Sequence, residues 1–544
     1  MCAAANVGSP DELDDKAVER AIYELISKMT SSAAFASRTM GKKTSKFSTS
    51  EMSVIFPNGI HANPSGKAEK QRETYISRVK SRQRGIGEDV EAGELCYLGG
   101  GLAAFRAGKS EFPMLDSRDL RNFHPEHQSG HPLSARNALA MEFFPLSVLR
   151  TGKNEGYFWF IHTANSEMAI LCSKLTQKTM NSQIASGEGL GFFGEWRIAS
   201  KTPEAAFVAL IRDVMTPGGS NPVTSKGLGR SGLPVTAYVF SNDNRSTEMR
   251  GQDLPHELFN YFGVLRGNDD ATDRFQYEIL LNDSLCWRVA PAMLKQLPIA
   301  RMCCTKVSKQ IDTDKFALKG GWRVHSIYAK EVLGMSVRFV RAIEEISSNI
   351  FDSDDRKKSL FELRGEEARR SPSSVLQRFV KRGAMSSEQY QLLAPPTNYN
   401  QAYVSCDYLM AALFERTNLE VSDKEFPLLP DHYELGEETK KHPLLIRVER
   451  MGEAILRIDR GRRAVNDLSK ATRSVALRGV FLKFIARQCA TYDDFVTLFP
   501  LEPGSFPAFQ ARDYLLAFLY DRLRDEELPE PEPISKTDLE GVTE

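Results

Sequence analysis

The sequence predicts an α+β protein: a mixed α/β N-terminal domain with irregular loops, followed by an α-helical C-terminal region that ends in a basic helical bundle. Three observations predict it. From about 145 to 330 the pattern is strand-like, with short β-branched and aromatic runs closed by Asn-containing turns. From about 331 onward, apolar residues recur with the helical period in six successive segments. Between Lys440 and Arg487, thirteen Lys or Arg stand against four Asp or Glu, a local surplus of nine positive charges.

A chain of 544 residues exceeds what one hydrophobic core organises, so two or three domains are expected. Apolar residues at 41% and charged residues at 26% are ordinary globular usage. Lys plus Arg equals Asp plus Glu at 71 each, so any nucleic-acid footprint has to be a local segregation of charge. Eight scattered cysteines contain no CxxC pair, which points to a reducing compartment, and the adjacent Cys303 and Cys304 read as a buried pair. No window approaches a membrane-spanning apolar run and no secretory leader pattern opens the chain. A soluble, cytoplasmic protein with no membrane partner is expected.

In chain order, "SPDELDDKAVERAIYELISKM" gives an amphipathic helix with Ser9 as N-cap, Pro10 at its first position, and Leu13, Val18, Ile22, Leu25 and Ile26 on one face. "SVIFPNGIHANPSG" resembles a strand entering a turn. Residues 67–84 are strongly basic, and Lys67, Lys70, Arg72, Arg78, Lys80, Arg82 and Arg84 read either as phosphate contacts or as solvated helix surface. "GYFWFIHTAN" and "VTAYVFSNDN" are strands, and "FQYEILLN" is a third strand or a short helix. Two glycine-rich stretches, 186–194 and 216–232, read as exposed loops; the first has GxGxxG-like spacing but follows no strand of a βαβ unit. The expected division is 1–330, a helical middle region 331–417, a linker 418–443, the basic bundle 444–527, and an acidic, proline-rich, disordered tail 528–544.

In the basic bundle, Met451, Ile455, Ile458, Val465 and Leu468 form an apolar stripe, and Arg450, Arg457, Arg460, Arg463 and Arg473 mostly fall off it. These arginines read as phosphate contacts, with a solvated helical face as the other reading. The standard catalytic signatures are missing from the sequence, and His162, His256 and His325 stand isolated on apolar or strand-like segments. One cluster asks for metal: His124, His127 and His131 fall within eight positions, a short segment after Cys96. A metal-dependent enzyme using these four ligands, with Glu126 as acid/base, is one reading; a binding subunit is the other.

Six segments resemble, in order, the large subunit of type I CRISPR Cascade complexes, closest to the type I-B group and its Myxococcus-type relatives. They are "VIFPNGIHANPSGKAEKQRETY", "GELCYLGG", "FPMLDSRDLRNFHPEHQSG", "NALAMEFFPLSVLRTGKNEGYFWFIHTANSEMAI", "TAYVFSNDNRSTEMRGQDLPHELFNYF" and "FQARDYLLAFLYD". The agreement runs from about 54 to 262, with an echo near 510–520. The family carries two CxxC pairs that look like a structural zinc ribbon. By this resemblance they fall on Cys96 and Gly99, and on Ser134 and Asn137, in a degenerate ribbon-like insertion near 93–140. Three of four ligands are then replaced, and Ser134 is left to cap the following helix.

The resemblance implies a non-catalytic subunit without cofactors that contacts the guide RNA 5′ handle, reads the protospacer-adjacent motif on target double-stranded DNA, and stabilises the R-loop. Its partners would be the backbone, handle-binding and small subunits and a recruited helicase-nuclease, or transposition-targeting proteins in a transposon-encoded system. Motif reading is expected from Asn221, Ser225, Lys226 and Arg230, and from Asn181, Gln183, Phe192 and Phe193 at the other loop, with sequence choice otherwise left to guide pairing.

Overall fold

The computed structural model describes residues 1–35, 37–40, 47–50, 52–56, 59–61, 68–86, 93–99, 101–108, 111, 130–151, 157–186, 192–193, 202–215, 234–242, 247–306, 316–398, 400–419, 426–429, 433, 441–459, 461–500, 506–524 and 528–529. The described residues are predominantly helical with small sheets, an α+β protein whose C-terminal region is helical. It divides into two compact units, Met1–Asp269 with Gln276–Leu297, and Asp270–Phe275 with Pro298–Glu544. The boundary therefore falls near 298, ahead of the expected 330. The expected linker at 418–443 does not separate domains, because helices from both sides of it pack together in the second unit.

In the first unit, α1 (Asp15–Met29) starts later than expected. Ser9 caps only a single 3-10 turn, Pro10–Glu12, while Asp14 accepts the Ala17 amide at 2.7 Å and starts the helix proper. Ile22 and Leu25 enter the core, with Leu13, Val18 and Ile26 packed at its margin. Strands β1 (Ser37–Met40) and β2 (Phe47–Ser50) pair antiparallel. The "SVIF" segment is helical at Met52–Ile55, not a strand, and all four residues are buried. The basic segment is α2 (Ala68–Arg84). Strands β3 (Phe105–Ala107) and β4 (His131–Leu133) form a small hairpin that leads into α3 (Ala135–Glu142).

A four-stranded antiparallel sheet follows, in the order β5 (Leu149–Thr151), β6 (Tyr157–Thr163), β7 (Val235–Asn242) and β8 (Thr247–Asp253). Alternation places Phe158 opposite Phe240 on the face that joins the main core, and Trp159 and Val239 on the other face. On that second face Trp159 meets Phe207 of α5 (Pro203–Met215) edge-on at 5.2 Å. Helix α4 (Ser166–Ser186) packs on β6. Helices α6 (His256–Leu265) and α7 (Asp283–Leu294) pack on α5. "FQYEIL" is a π-helical segment, so the helical alternative holds there.

In the second unit, β9 (Cys304–Lys306) pairs with β10 (Phe316–Leu318). Cys303 is buried, whereas Cys304 is only half-buried. Helices α8 (Gly321–Glu331), α9 (Val337–Phe351), α10 (Arg356–Arg364), α11 (Pro372–Lys381) and α12 (Ser387–Leu393) pack on α13 (Gln401–Leu419), and Glu344 of α9 centres a buried network among α8, α9 and α13. This buried carboxylate accepts Trp322 Nε1 at 3.0 Å and the Leu429 amide at 2.7 Å. Burial pushes its pKa above the usual carboxylate range despite those bonds.

The remaining helices are α14 (Pro443–Asp459), α15 (Arg462–Ser469), α16 (Ser474–Ala486), α17 (Tyr492–Leu498) and α18 (Phe506–Arg522). Helix α18 is the hub, packed on α11, α12, α14, α15, α16 and α17. Met451, Ile455, Val465 and Leu468 are buried as the stripe predicts, but Ile458, in the last turn of α14, is 56% exposed. No helix among the described residues is long and apolar enough to cross a membrane.

Candidate nucleic-acid interface and a metal-free knuckle

The basic surface of α15 and α16 is built from the inside. Arg512 of α18, fully buried, donates from Nε to Leu468 O at 2.9 Å and from Nη2 to Ser469 O at 3.1 Å. It thereby satisfies the carbonyls left open at the end of α15 and fixes the turn into α16. Lys470 and Arg473 at that turn, and Arg463 at the start of α15, are exposed, and among the described residues their side chains have no hydrogen-bond or ion-pair partner. Three unneutralised cations on α15 and the turn into α16 can take phosphate oxygens without first giving up a carboxylate.

The neighbouring basic residues are committed to differing degrees. Arg450 is tied to Asp494, a wholly buried carboxylate that also accepts Arg447 Nη1 at 3.0 Å and the Thr491 amide at 2.8 Å. Burial alone would raise the Asp494 pKa, but these donors hold it below the usual range. Arg450 therefore locks α14 to the capping box of α17 and is not free for phosphate. Arg457, at 79% exposure, has Glu453 at 3.6 Å as its one ion-pair partner among the described residues. Arg460 lies outside the described residues.

The basic helix α2 divides in the same way. Lys70, Lys80 and Arg84 are exposed, while Arg72 pairs with Glu69 at 3.1 Å and sits over the Phe35 ring. Arg78 and Arg82 are structural: Arg78 Nε lies 2.9 Å from Glu142 Oε1, and Arg82 bonds both Glu142 and Ala138 O, the latter at 3.1 Å. Glu142 is 1% exposed, so both guanidiniums serve to neutralise a buried charge. Lys67 lies outside the described residues.

Of the motif-reading residues, Asn221, Ser225, Lys226 and Arg230 lie outside the described residues. Asn181 and Gln183 belong to the last two turns of α4, not to a loop, and Asn181 is exposed. Phe192 and Phe193 are core residues at 1% and 0% exposure; Phe193 meets Phe158 edge-on at 5.1 Å. Their burial removes them as base-stacking groups.

The hairpin β3–β4 brings Cys96, Gly99, Ser134 and Asn137 to one place. A tight turn runs from Cys96 to Gly99, closed by the Gly99 amide on Cys96 O at 3.0 Å. Ser134 Oγ accepts the Asn137 amide at 3.3 Å as the N-cap of α3. Asn137 then donates from Nδ2 to Gly99 O at 2.7 Å and to Cys96 Sγ at 3.2 Å. Burial would raise the Cys96 thiol, but hydrogen bonds from Ser134, Asn137 and Leu98 bring it below its ordinary value.

This set does not fit tetrahedral zinc. It offers one sulfur, a hydroxyl engaged as a cap, and a carboxamide whose N–H points at the sulfur, where a shared cation would need a lone pair. Of the alternative ligands, His131 stacks on Tyr97 at 4.5 Å, and His124, His127 and Glu126 lie outside the described residues. Among the described residues no group of three or more His, Cys, Asp or Glu is disposed to hold a metal ion.

The isolated histidines have ordinary surroundings. His325 is buried on Lys319 O at 2.9 Å, His256 lies beside Asn260, and His162 is exposed on β6. Sequence reasoning missed His61, 2% exposed, whose Nε2 donates to Met29 O at 2.9 Å. No protein-family model, curated protein or solved structure matches this chain.

Proposed function

We propose that this chain is a nucleic-acid-binding subunit that performs no chemistry itself, and that it is the large subunit of a type I CRISPR Cascade ribonucleoprotein. The observation that carries the nucleic-acid reading is the exposed, unneutralised trio Arg463, Lys470 and Arg473 on α15 and the turn into α16. The narrower assignment rests on the ordered resemblance in the first half of the chain. The knuckle supports it: four positions that the resemblance equates with zinc ligands meet in space, although only Cys96 keeps a ligand side chain.

In this reading the trio holds phosphate backbone, Lys70, Lys80 and Arg84 on α2 supply a second cationic strip, and guide pairing supplies sequence choice. Recruitment of a helicase-nuclease or of transposition proteins would follow R-loop formation. The test is purification of the native complex. A guide RNA of defined length and partner subunits should co-purify, and duplex binding should collapse when the motif beside the target is scrambled. Recovery of the chain without RNA or partner subunits overturns the assignment. Replacing Arg463, Lys470 and Arg473 with alanine should weaken binding to all sequences and flatten the salt dependence, by about 0.9 in the log–log slope for each phosphate no longer neutralised. An unchanged slope would show that the trio is merely solvated.

A further inference from the structure

Helix α16 is apolar on both sides. Leu477, Val480, Phe481 and Phe484 face the interior of the second unit. On the opposite face Val475 is 83% and Leu482 51% exposed, with Gly479 and Ala486 at matching helical positions. A Cβ built at Gly479 meets nothing within 4 Å, so the middle of this face is open. Cations border it: residues 462–487 hold seven Lys or Arg against Asp467 alone, a surplus of six positive charges. A phosphate backbone would use the cations and leave the apolar stripe uncovered.

A segment of this same chain has the complementary character. Residues 525–544 hold eight Asp or Glu against Lys536 alone, a surplus of seven negative charges, interleaved with Ile534, Leu539 and Val542. The structure also fixes where the segment begins. After α18, Leu528 is buried at 6% exposure and Tyr520 Oη donates to Pro529 O at 2.7 Å, so the chain is held against the end of α18. The start of α15 lies at that same end. Gly461, its N-cap at φ 78°, is so close that an added Cβ would come within 2.7 Å of Leu523 and 3.6 Å of Leu519. Pro529, the last described residue before the acidic stretch, and Gly461, which precedes Arg462 and Arg463, thus both contact the last two turns of α18.

We propose that residues 530–544 dock on the exposed face of α15 and α16, with Ile534, Leu539 and Val542 on the apolar stripe and the carboxylates on its basic borders, and so compete with nucleic acid for it. Reach is not limiting. Fifteen extended residues span up to about 50 Å, whereas the thirteen residues of α16 are about 20 Å long. Tethering makes the contact intramolecular, at an effective concentration on the order of millimolar, so weak individual ion pairs suffice. Added salt would release it, as it would a phosphate ligand.

The competition rests on the phosphate-binding reading of this face; the docking does not, and two measurements on the full chain separate them. Zero-length carbodiimide crosslinking at low salt should join Lys470 or Lys483 to a carboxylate of 530–544. Mixing isotopically light and heavy chains identifies the links formed within one chain, and high salt should abolish them. Absence of such links at low salt overturns the proposal. The second measurement compares the full chain with a variant carrying Glu530→Gln, Glu532→Gln, Asp538→Asn, Glu540→Gln and Glu544→Gln, using a short fluorescein-labelled single-stranded DNA of mixed sequence. The variant should bind about tenfold tighter at low salt, with the gap closing as salt rises. Equal affinities at low salt overturn the competition. If links form and neither chain binds DNA, docking stands and the nucleic-acid reading of the face fails.

Discussion

Arg78 and Glu142 meet with Nε 2.9 Å from Oε1, and Arg82 closes on the same carboxylate from the next turn of α2. One buried anion thus fastens α2 to α3 through two guanidiniums. Glu142→Gln keeps the shape and removes the charge, leaving both cations poorly compensated next to a 1% exposed site. The expected loss is about 3–5 kcal/mol, read by urea unfolding, with hydrogen exchange of the α2 amides assigning it to the first unit. Lys80→Ala, on the exposed side of the same helix, should leave stability nearly unchanged.

His61 gives the first unit an acid-sensitive point. Burial lowers its pKa from 6.5 to about 4, opposed by the bond to Met29 O and reinforced by Arg78. The unfolded chain therefore binds a proton in a range where the folded one does not. Its contribution is complete above 6.5 and is lost as pH falls toward about 4. At about 1.4 kcal/mol per pH unit, the loss amounts to roughly 3 kcal/mol. His61→Phe should be less stable at neutral pH, lacking the Met29 bond, yet show a flatter stability profile across this window. A profile as steep as that of the parent chain would place the sensitivity elsewhere.

Gly452 marks the closest approach of α14 and α18. An added Cβ would fall 2.3 Å from Phe518 Cδ1. In an isolated helix, alanine is favoured over glycine by about 1 kcal/mol, but displacing a buried ring in a packed interface costs about 1–3 kcal/mol. Gly452→Ala should therefore destabilise the second unit, and adding Phe518→Leu should recover part of the loss. Thermal unfolding of the single and double variants measures the coupling.

Asn137 stands between Gly99 O and Cys96 Sγ as a donor to both. Asn137→Asp replaces that donor with an acceptor, facing it with two others at a part-buried site. The expected cost is about 1–3 kcal/mol, and the Cys96 thiol should titrate at higher pH than in the parent chain. Asn137→Ala should cost less, because it removes the bonds without introducing repulsion.

Local signals are legible in the sequence. Ser134 caps α3 because capping involves only residues a turn apart, and the stacked strands around Phe160 and Tyr238 carry their own β-branched and aromatic pattern. The start of α1 is misread because Ser9 and Asp14 both carry capping chemistry and only the tertiary setting chooses between them. What escapes is long-range. Arg78 and Glu142 are 64 positions apart, so the density of charge in α2 reads as surface although two of its cations are enclosed. Phe192 and Phe193 are hidden among glycines, whose flexibility says nothing about where the intervening rings pack. Arg450 reads as free because its carboxylate, Asp494, comes from a different helix.

The six residues Asp270–Phe275 belong to the second unit although the chain on both sides of them belongs to the first. Arg274 within them holds Glu415 at 2.7 Å, a carboxylate otherwise enclosed by the second unit. A recombination event that exchanged everything after residue 298 for a homologous segment would separate this pair and strand a buried anion. The second unit therefore needs residues 270–275 as well as those after 298: a single cut at that boundary divides the sequence without dividing the fold.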